Sequence, residues 1–273
     1  MWLDTLWIQV SGTLCNIACR HCLVSAGPKV DRHRMLSADE VVKLLDDCEG
    51  VREIWLTGGE PFLNPEILAI LDACLERAAV GVLTNGMRID EPMARALGAR
   101  FREAAHNLEI RVSLDGPDAA ANDAIRGRGA FLAAMGGISR LVTEGVEPIV
   151  AVTGLEPEKK VEEFHKMLRL MGVSRPRVKW IPPFKVGREV ARGGGYAPFE
   201  GLNSAQVEEP EAPHRLQCGT SRTVTSQGVF PCPILIDEPS FLLGARVSET
   251  LVPHPVDHPA CSTCWETGFS CSR

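Results

Sequence analysis

Trp7-Ile8-Gln9-Val10, followed after four residues by Cys15-Asn16-Ile17-Ala18-Cys19-Arg20-His21-Cys22, is the stretch that decides the fold. The short apolar run reads as a buried strand. The three cysteines then open a long loop that runs from Ser11 to Leu36. Working outward, strand-like runs recur at Glu53–Thr57, Val80–Thr84, Glu109–Leu114, Pro148–Thr153 and Arg177–Ile181. Helical patterns fill the gaps. Ser37-x-x-Glu40 is a capping box that opens a helix striped by Val41, Leu44, Leu45 and Cys48. Asn64-Pro65 reads as the N-cap and first residue of a second helix, striped by Ile67, Ile70, Leu71, Cys74 and Leu75. Phe131, Met135, Ile138 and Val142 mark another, and Val161, Phe164, Leu168 and Met171 a further one that Gly172 ends. Cys48 and Cys74 fall on apolar stripes and read as small buried hydrophobes.

Strands that alternate with helices imply a parallel sheet with crossover connections. Six units by residue 182 are too few for a closed eight-stranded barrel, which leaves an open doubly wound sheet or a partial barrel. From Gly187 to Pro213 the composition changes, through Gly193-Gly194-Gly195 to Glu208-Glu209-Pro210-Glu211-Ala212-Pro213. The expected organisation is a core over residues 1–186, a linker or mobile loop over 187–213, and a small cysteine-rich domain over 214–273.

The composition is that of a globular protein: 273 residues, 45% hydrophobic and 23% charged. With 29 Lys and Arg against 35 Asp and Glu, the net charge is −6, and no basic run suggests a nucleic-acid groove. No apolar run is long enough to span a membrane. Met1-Trp2-Leu3-Asp4 lacks the basic and apolar regions of a secretion signal, so a cytoplasmic protein is expected. Ten cysteines in such a setting point to metal rather than to disulfides.

Cys15, Cys19 and Cys22 follow the first strand, where parallel α/β folds build their active sites. Three close thiolates suit three irons of a 4Fe–4S cluster, whose missing fourth ligand leaves one iron open to a small molecule. A zinc site, or a cluster completed by a distant cysteine, fits the spacing as well.

The eight residues Cys15 to Cys22 resemble the signature of the radical S-adenosylmethionine (radical SAM) superfamily. Three further motifs match in order at strand ends. Thr57-Gly58-Gly59-Glu60-Pro61 resembles the motif that binds the methionine amino group, Thr84-Asn85-Gly86 ends the third strand, and Ser113-Leu114-Asp115-Gly116 resembles the segment that contacts the ribose. The residue types fit, because Glu60 offers an acceptor to an ammonium, and Gly58 and Gly59 let backbone approach a ligand, although Gly-Gly-x-Pro also makes a plain turn. Arg126 resembles an arginine near bound SAM. His21 stands where the family usually has an aromatic residue beside the adenine, and an imidazole stacks similarly. Arg111 shares a strand face with Ser113 and Asp115, as a substrate-facing charge or as an edge salt bridge.

The resemblance implies a (β/α)6 partial TIM barrel with SAM at the strand C-termini. It implies reductive cleavage of SAM at the cluster to a 5′-deoxyadenosyl radical, which abstracts hydrogen from a peptide or small-molecule substrate. An external one-electron reductant of the flavodoxin or ferredoxin type is implied too. A non-catalytic iron–sulfur protein for electron transfer or assembly is the alternative, and the segments around Glu60, Asn85 and Ser113 argue against it.

The tail carries Cys218, Cys232, Cys261, Cys264 and Cys271. Taken bare, these suit a zinc ribbon, and so short a segment rich in proline and glycine needs some staple. After such a core the spacing resembles the auxiliary-cluster domains called SPASM and twitch. Five cysteines are fewer than the two clusters of a full SPASM domain use, so the match is to twitch. One auxiliary 4Fe–4S cluster on Cys218, Cys232, Cys261 and Cys264 is implied, with Cys271 spare or replacing one of them. A structural zinc tail is the alternative.

Overall fold

The computed structural model describes residues 2–154, 158–197, 199–208 and 216–271. Six parallel strands come first: β1 (Thr5–Gln9), β2 (Glu53–Thr57), β3 (Ala79–Thr84), β4 (Leu108–Ser113), β5 (Ile149–Thr153) and β6 (Val178–Ile181). Between them run α1 (Ala38–Asp46), α2 (Ile67–Leu75), α3 (Glu91–Glu103), α4 (Ala119–Arg126), α5 (Ala130–Thr143) and α6 (Glu158–Leu170). This is the expected (β/α)6 partial barrel. Sheet order is β6-β5-β4-β3-β2-β1, so each crossover places its strand beside the one before.

The sheet does not stop at β1. Strand β7 (Ser221–Thr225) pairs parallel to β1, and β8 (Gly228–Phe230) closes a hairpin on β7, which gives eight strands. The cysteine-rich tail thus begins inside the core sheet. β7 reads Ser-Arg-Thr-Val-Thr, with one aliphatic residue, so an apolar run does not announce it. Its residues are all buried because it lies between two strands. Within the expected linker are two short helices, α7 (Glu189–Gly193) and α8 (Ser204–Glu208), while residues 198 and 209–213 lie outside the described residues. The last helix is α9 (Ala260–Thr267).

The Ser37/Glu40 capping box is present in full. The second helix starts later than its sequence suggests. Asn64 caps no α-helix; its side-chain oxygen accepts from Glu66 N, and its amide donates to the carbonyls of Val10 and Leu36, both at 2.8 Å. Asn64 therefore ties the ends of the cysteine loop to the β2–α2 connection. Cys74 is fully buried in α2. Cys48 lies just past the end of α1, half-buried against the main core rather than on the helix itself.

That core packs Leu, Ile and Val of β1–β5 against the inner faces of α1, α2, α3, α5 and α6. A second cluster, Phe184, Phe230, Ile234, Leu235, Ile236 and Phe241, joins the end of β6 to the tail and packs on Leu23 and Val24 of the cysteine loop. Inside the partial barrel, Trp7 and Trp55 stack at 5.4 Å. Gly81 sits opposite Trp55 in register, where a Cβ would come within 2.1 Å of the indole. Among the described residues, no helix is long and apolar enough to cross a membrane.

Candidate active site

The cysteine loop is fastened at both ends. Cys15 N–H donates to Gly27 O at 3.2 Å and Gly27 N–H to Thr13 O at 3.1 Å, while Thr13 in turn brackets His33. The β2 end presses on the loop from below. Gly59 N–H donates to Gly12 O at 2.8 Å and Glu60 N–H to Leu14 O at 3.0 Å. A Cβ on Gly59 would lie 2.1 Å from Leu14 O. Gly58 has φ +146°, and a Cβ there would meet Ser11 Oγ at 2.2 Å. The two glycines are therefore required by the loop that carries the cysteines, in addition to any ligand.

A third fastening comes from beyond β6. Arg188 Nε donates to Cys19 O at 2.7 Å, its Nη2 to Ala26 O at 2.6 Å, and its backbone N–H to Cys22 O at 3.0 Å. Gly187, at φ +58°, brings this segment so close that a Cβ would sit 2.1 Å from Leu23 O. No motif marks Arg188, because its partners are backbone carbonyls 162 and 169 positions away.

The result is a cavity of about 230 Å³ at the C-terminal ends of the strands. Cys15, Cys19, Cys22, His21, Gly58, Gly59, Asn85, Ser113 and Arg126 all line it. Asn85 is held by its amide to Asn16 Oδ1 at 2.7 Å and approaches Cys15 Sγ at 3.8 Å. The opposite wall is apolar, with Pro182, Phe184, Ile234, Ile236 and Phe269.

Two predicted residues stand behind the polar lining rather than in it. Glu60 is fully buried, and its carboxylate accepts from Thr84 Oγ1 at 2.6 Å, Asn85 N at 2.7 Å and Phe62 N at 3.2 Å. Burial raises its pKa above the usual carboxylate range, against the pull of these donors. Asp115 is buried as well. Its Oδ2 lies 2.6 Å from His21 Nε2 and 2.7 Å from Arg126 Nε, and its Oδ1 accepts from Thr153 N. Burial alone would raise Asp115, but Arg126 and His21 outweigh it and hold the carboxyl at about 2. Asp115 thus locks the His21 ring and the Arg126 guanidinium that face the cavity.

Arg111 is neither in the cavity nor at an edge. It is buried, its Nε pairs with Glu109 at 2.7 Å, and its guanidinium lies 3.9 Å over the Trp55 ring.

The tail builds a second site. Cys218 lies before β7, Cys232 after β8, and Cys261 and Cys264 share one face of α9 at spacing i, i+3. These four and Cys271 line one small cavity of about 40 Å³. Phe184, Pro233, Ile234, Phe269 and Cys271 border both cavities.

The donor chemistry bears on what each site can hold. Burial pushes Cys15 up to about 12 and raises Cys19. Burial likewise pushes Cys261 and Cys271 up to about 12 and raises Cys218, Cys232 and Cys264, with further like-charge contributions among the tail thiols. Such thiols become thiolates only against a bound cation, so both sets suit a metal group that carries positive charge into an apolar site. Among the described residues, no three His, Cys, Asp or Glu side chains converge on a point where a single ion would sit. Four tail thiolates would serve either one zinc ion or the four irons of a 4Fe–4S cluster.

Comparison with known proteins agrees with this geometry. The Radical SAM superfamily model matches residues 10–171. Mycofactocin maturase MftC of Mycolicibacterium smegmatis is 33% identical over 181 residues, 64% of this chain and 44% of the relative. The antilisterial bacteriocin subtilosin biosynthesis protein AlbA of Bacillus subtilis is 29% identical over 183 residues, 64% of this chain and 39% of the relative. The chain thus spans less than half the length of either relative. The structure of Streptococcus suis SuiB bound to precursor peptide SuiA shares the fold, with TM-score 0.69 and 15% identity over 97% of this chain and 67% of that one.

Proposed function

The chain belongs to the radical SAM superfamily, and on that premise we propose that it modifies a peptide at the cavity shared by Cys15, Cys19 and Cys22. Enzymes of this family use a 4Fe–4S cluster and SAM. When bound, that pair supplies a 5′-deoxyadenosyl radical able to take hydrogen from an unactivated carbon. The chain's own residues bind, orient and shield. Three thiolates hold the cluster, and Arg188 keeps their loop in register. Gly58, Gly59, Asn85, Ser113 and Arg126 form the SAM wall, with His21 beside them. Glu60 and Asp115 act through Asn85, His21 and Arg126. The apolar wall excludes water that would quench a reactive intermediate.

One observation carries the reading: these cysteines and the three strand-end motifs meet on one cavity in a chain whose residues 10–171 match the family. We read residues 214–273 as a twitch-type auxiliary domain with a second 4Fe–4S cluster on Cys218, Cys232, Cys261 and Cys264. The maturase name of MftC and the precursor peptide bound to SuiB favour a peptide substrate over a small molecule. A reducing cytoplasm and a flavodoxin- or ferredoxin-type donor complete the reading. The test is direct. Anaerobically reconstituted, reduced protein should release 5′-deoxyadenosine and methionine from SAM, and the Cys15/Cys19/Cys22→Ala variant should release none. Equal release from the triple variant would overturn the reading.

A further inference from the structure

The turn that follows α9 reaches into the partial barrel, and its polar contacts there come from groups outside the SAM cavity. Lys179, on β6, donates from Nζ to Ser270 O at 2.7 Å and lies 4.9 Å from the centre of the Phe269 ring. Arg111, on β4, donates from Nη1 to Cys271 O at 3.1 Å. Gln217 Oε1 accepts from Cys271 N at 2.8 Å and from Ser270 Oγ at 3.0 Å. Phe269 packs edge-on against Phe184 at 5.8 Å.

This is an expensive way to seat a surface turn. Taking a guanidinium, and in part an ammonium, out of water costs free energy; Glu109 and the Trp55 ring offset some of it for Arg111, while Lys179 meets a neutral carbonyl and the Phe269 ring. Burial lowers both groups' affinity for their protons, Lys179 to about 8. The register explains how both reach one turn. β5 lies between β4 and β6; Arg111 pairs in register with its Ile149 and Lys179 with its Ala151, two residues further along the same face, so both cations rise from one side of the sheet. What the turn gains is placement. Phe269 and Cys271 are the residues of the turn that border both cavities.

We propose that Arg111 and Lys179 are positioning residues that seat residues 269–271 as the partition between the SAM cavity and the tail cavity. Arg111 also stacks on Trp55, so the seat is keyed to the floor of the barrel. Naming the first cavity the reaction chamber rests on the function proposed above; the seating itself does not.

The experiment uses reconstituted full chain carrying Lys179→Met, Arg111→Gln or the conservative Lys179→Arg. Amide hydrogen exchange is followed by mass spectrometry, with SAM affinity measured in parallel. Lys179→Met and Arg111→Gln should each speed exchange at residues 269–271 at least tenfold, with α2 and β3 unchanged. Lys179→Arg should hold it within threefold of the parent. In the Cys15/Cys19/Cys22→Ala background, Lys179→Met should alter the spectrum of the metal held by the tail, while SAM affinity in the cysteine-intact protein stays within twofold. Unchanged exchange at 269–271, or faster exchange spread evenly over the chain, would overturn the proposal. If Arg111→Gln does not fold, the Lys179 pair decides alone. None of these readouts depends on SAM cleavage, so the partition and the function can fail separately.

Discussion

Glu60→Gln separates two roles for the one acidic residue of the Gly58-Gly59-Glu60 segment. Oε1 accepts from Thr84 Oγ1 and Phe62 N, and Oε2 accepts from Asn85 N. A glutamine has one acceptor oxygen. Placed at the Oε1 position it keeps Thr84 and Phe62 but turns an NH2 towards Asn85 N–H, 2.7 Å away. The flipped amide rescues Asn85 and faces Phe62 N–H instead. Thr84 Oγ1 already accepts from Gly86 N, which limits its freedom to adapt. At least one buried donor is orphaned, which costs about 1–3 kcal/mol. Part of this is returned, because burial raises the Glu60 pKa and a neutral side chain avoids that penalty. The net expectation is a loss of about 1–2 kcal/mol in urea unfolding of the metal-free chain. SAM binding to the reconstituted protein should weaken less than about tenfold, since Asn85 shifts but stays. Direct contact between the carboxylate and an ammonium would behave otherwise: losing it costs about 2–5 kcal/mol of binding. Full stability combined with a loss of affinity beyond about thirtyfold would refute a positioning role for Glu60.

Three further outcomes follow from the same contacts. Arg188→Ala removes two charged donors from the carbonyls of Cys19 and Ala26; it should destabilise the cysteine loop by about 2–4 kcal/mol and speed chelator removal of N-terminal iron at least tenfold. The Cys15/Cys19/Cys22→Ala variant should retain about four irons and no zinc, a full cluster's complement on the tail cysteines; metal analysis showing one zinc and no iron would make the tail a structural staple. Arg34 and the Ser37 cap hold Glu40 at about 2, so their stabilisation is present above about pH 4 and is lost as pH falls towards 2; Glu40→Gln should flatten that limb of the stability curve, with the effect kept small by solvent at a half-exposed site.

The aliphatic strands were legible because each is a short run of Val, Ile and Leu between turn signals, and the cysteine loop because its spacing is local. What escaped depends on partners distant in sequence. Helix α3 has a sound start, with Asp90 as cap and Pro92 in the first turn, but its buried face is Ala94, Leu97 and Gly98, too small to make a stripe. Gly98 faces Glu144, where a Cβ would come within 2.8 Å. Strand alternation put Arg111 and Ser113 on one face, and the resemblance turned that face inward; Ser113 does line the cavity. Neither gave a sign that Arg111 would sit deeper, on Trp55. Asp115 lies past the end of β4, where alternation no longer applies, and turns back to His21 and Arg126. The motif residues were found by resemblance, but the division between those that line the cavity and those that brace it is a property of packing alone.

The pairing of β7 with β1 fixes how the two cysteine sites relate. Cys15 follows the C-terminal end of β1, whereas Cys218 precedes β7 and Cys232 follows β8. Because β7 runs parallel to β1 and β8 antiparallel, Cys218 and Cys232 both fall at the end of the sheet where β1 begins. Five strand residues at about 3.3 Å each put the two sites roughly 15 Å apart along the strand. That is too far for them to share a ligand, yet both cavities are bordered by Phe184, Pro233, Ile234, Phe269 and Cys271. A tail tethered only by a linker would leave this separation free to vary. Ladder hydrogen bonds from Thr5–Ile8 to Ser221–Val224 hold it instead, and Asp4 and Thr5 both donate to Thr220 O just ahead of β7. The tail site is therefore registered to the first cavity by backbone pairing at one end and by the Arg111–Lys179 seat at the other. A change in the β1–β7 pairing should be felt at both sites before it is felt in the helices, whereas a change in the seat should reach the tail site first.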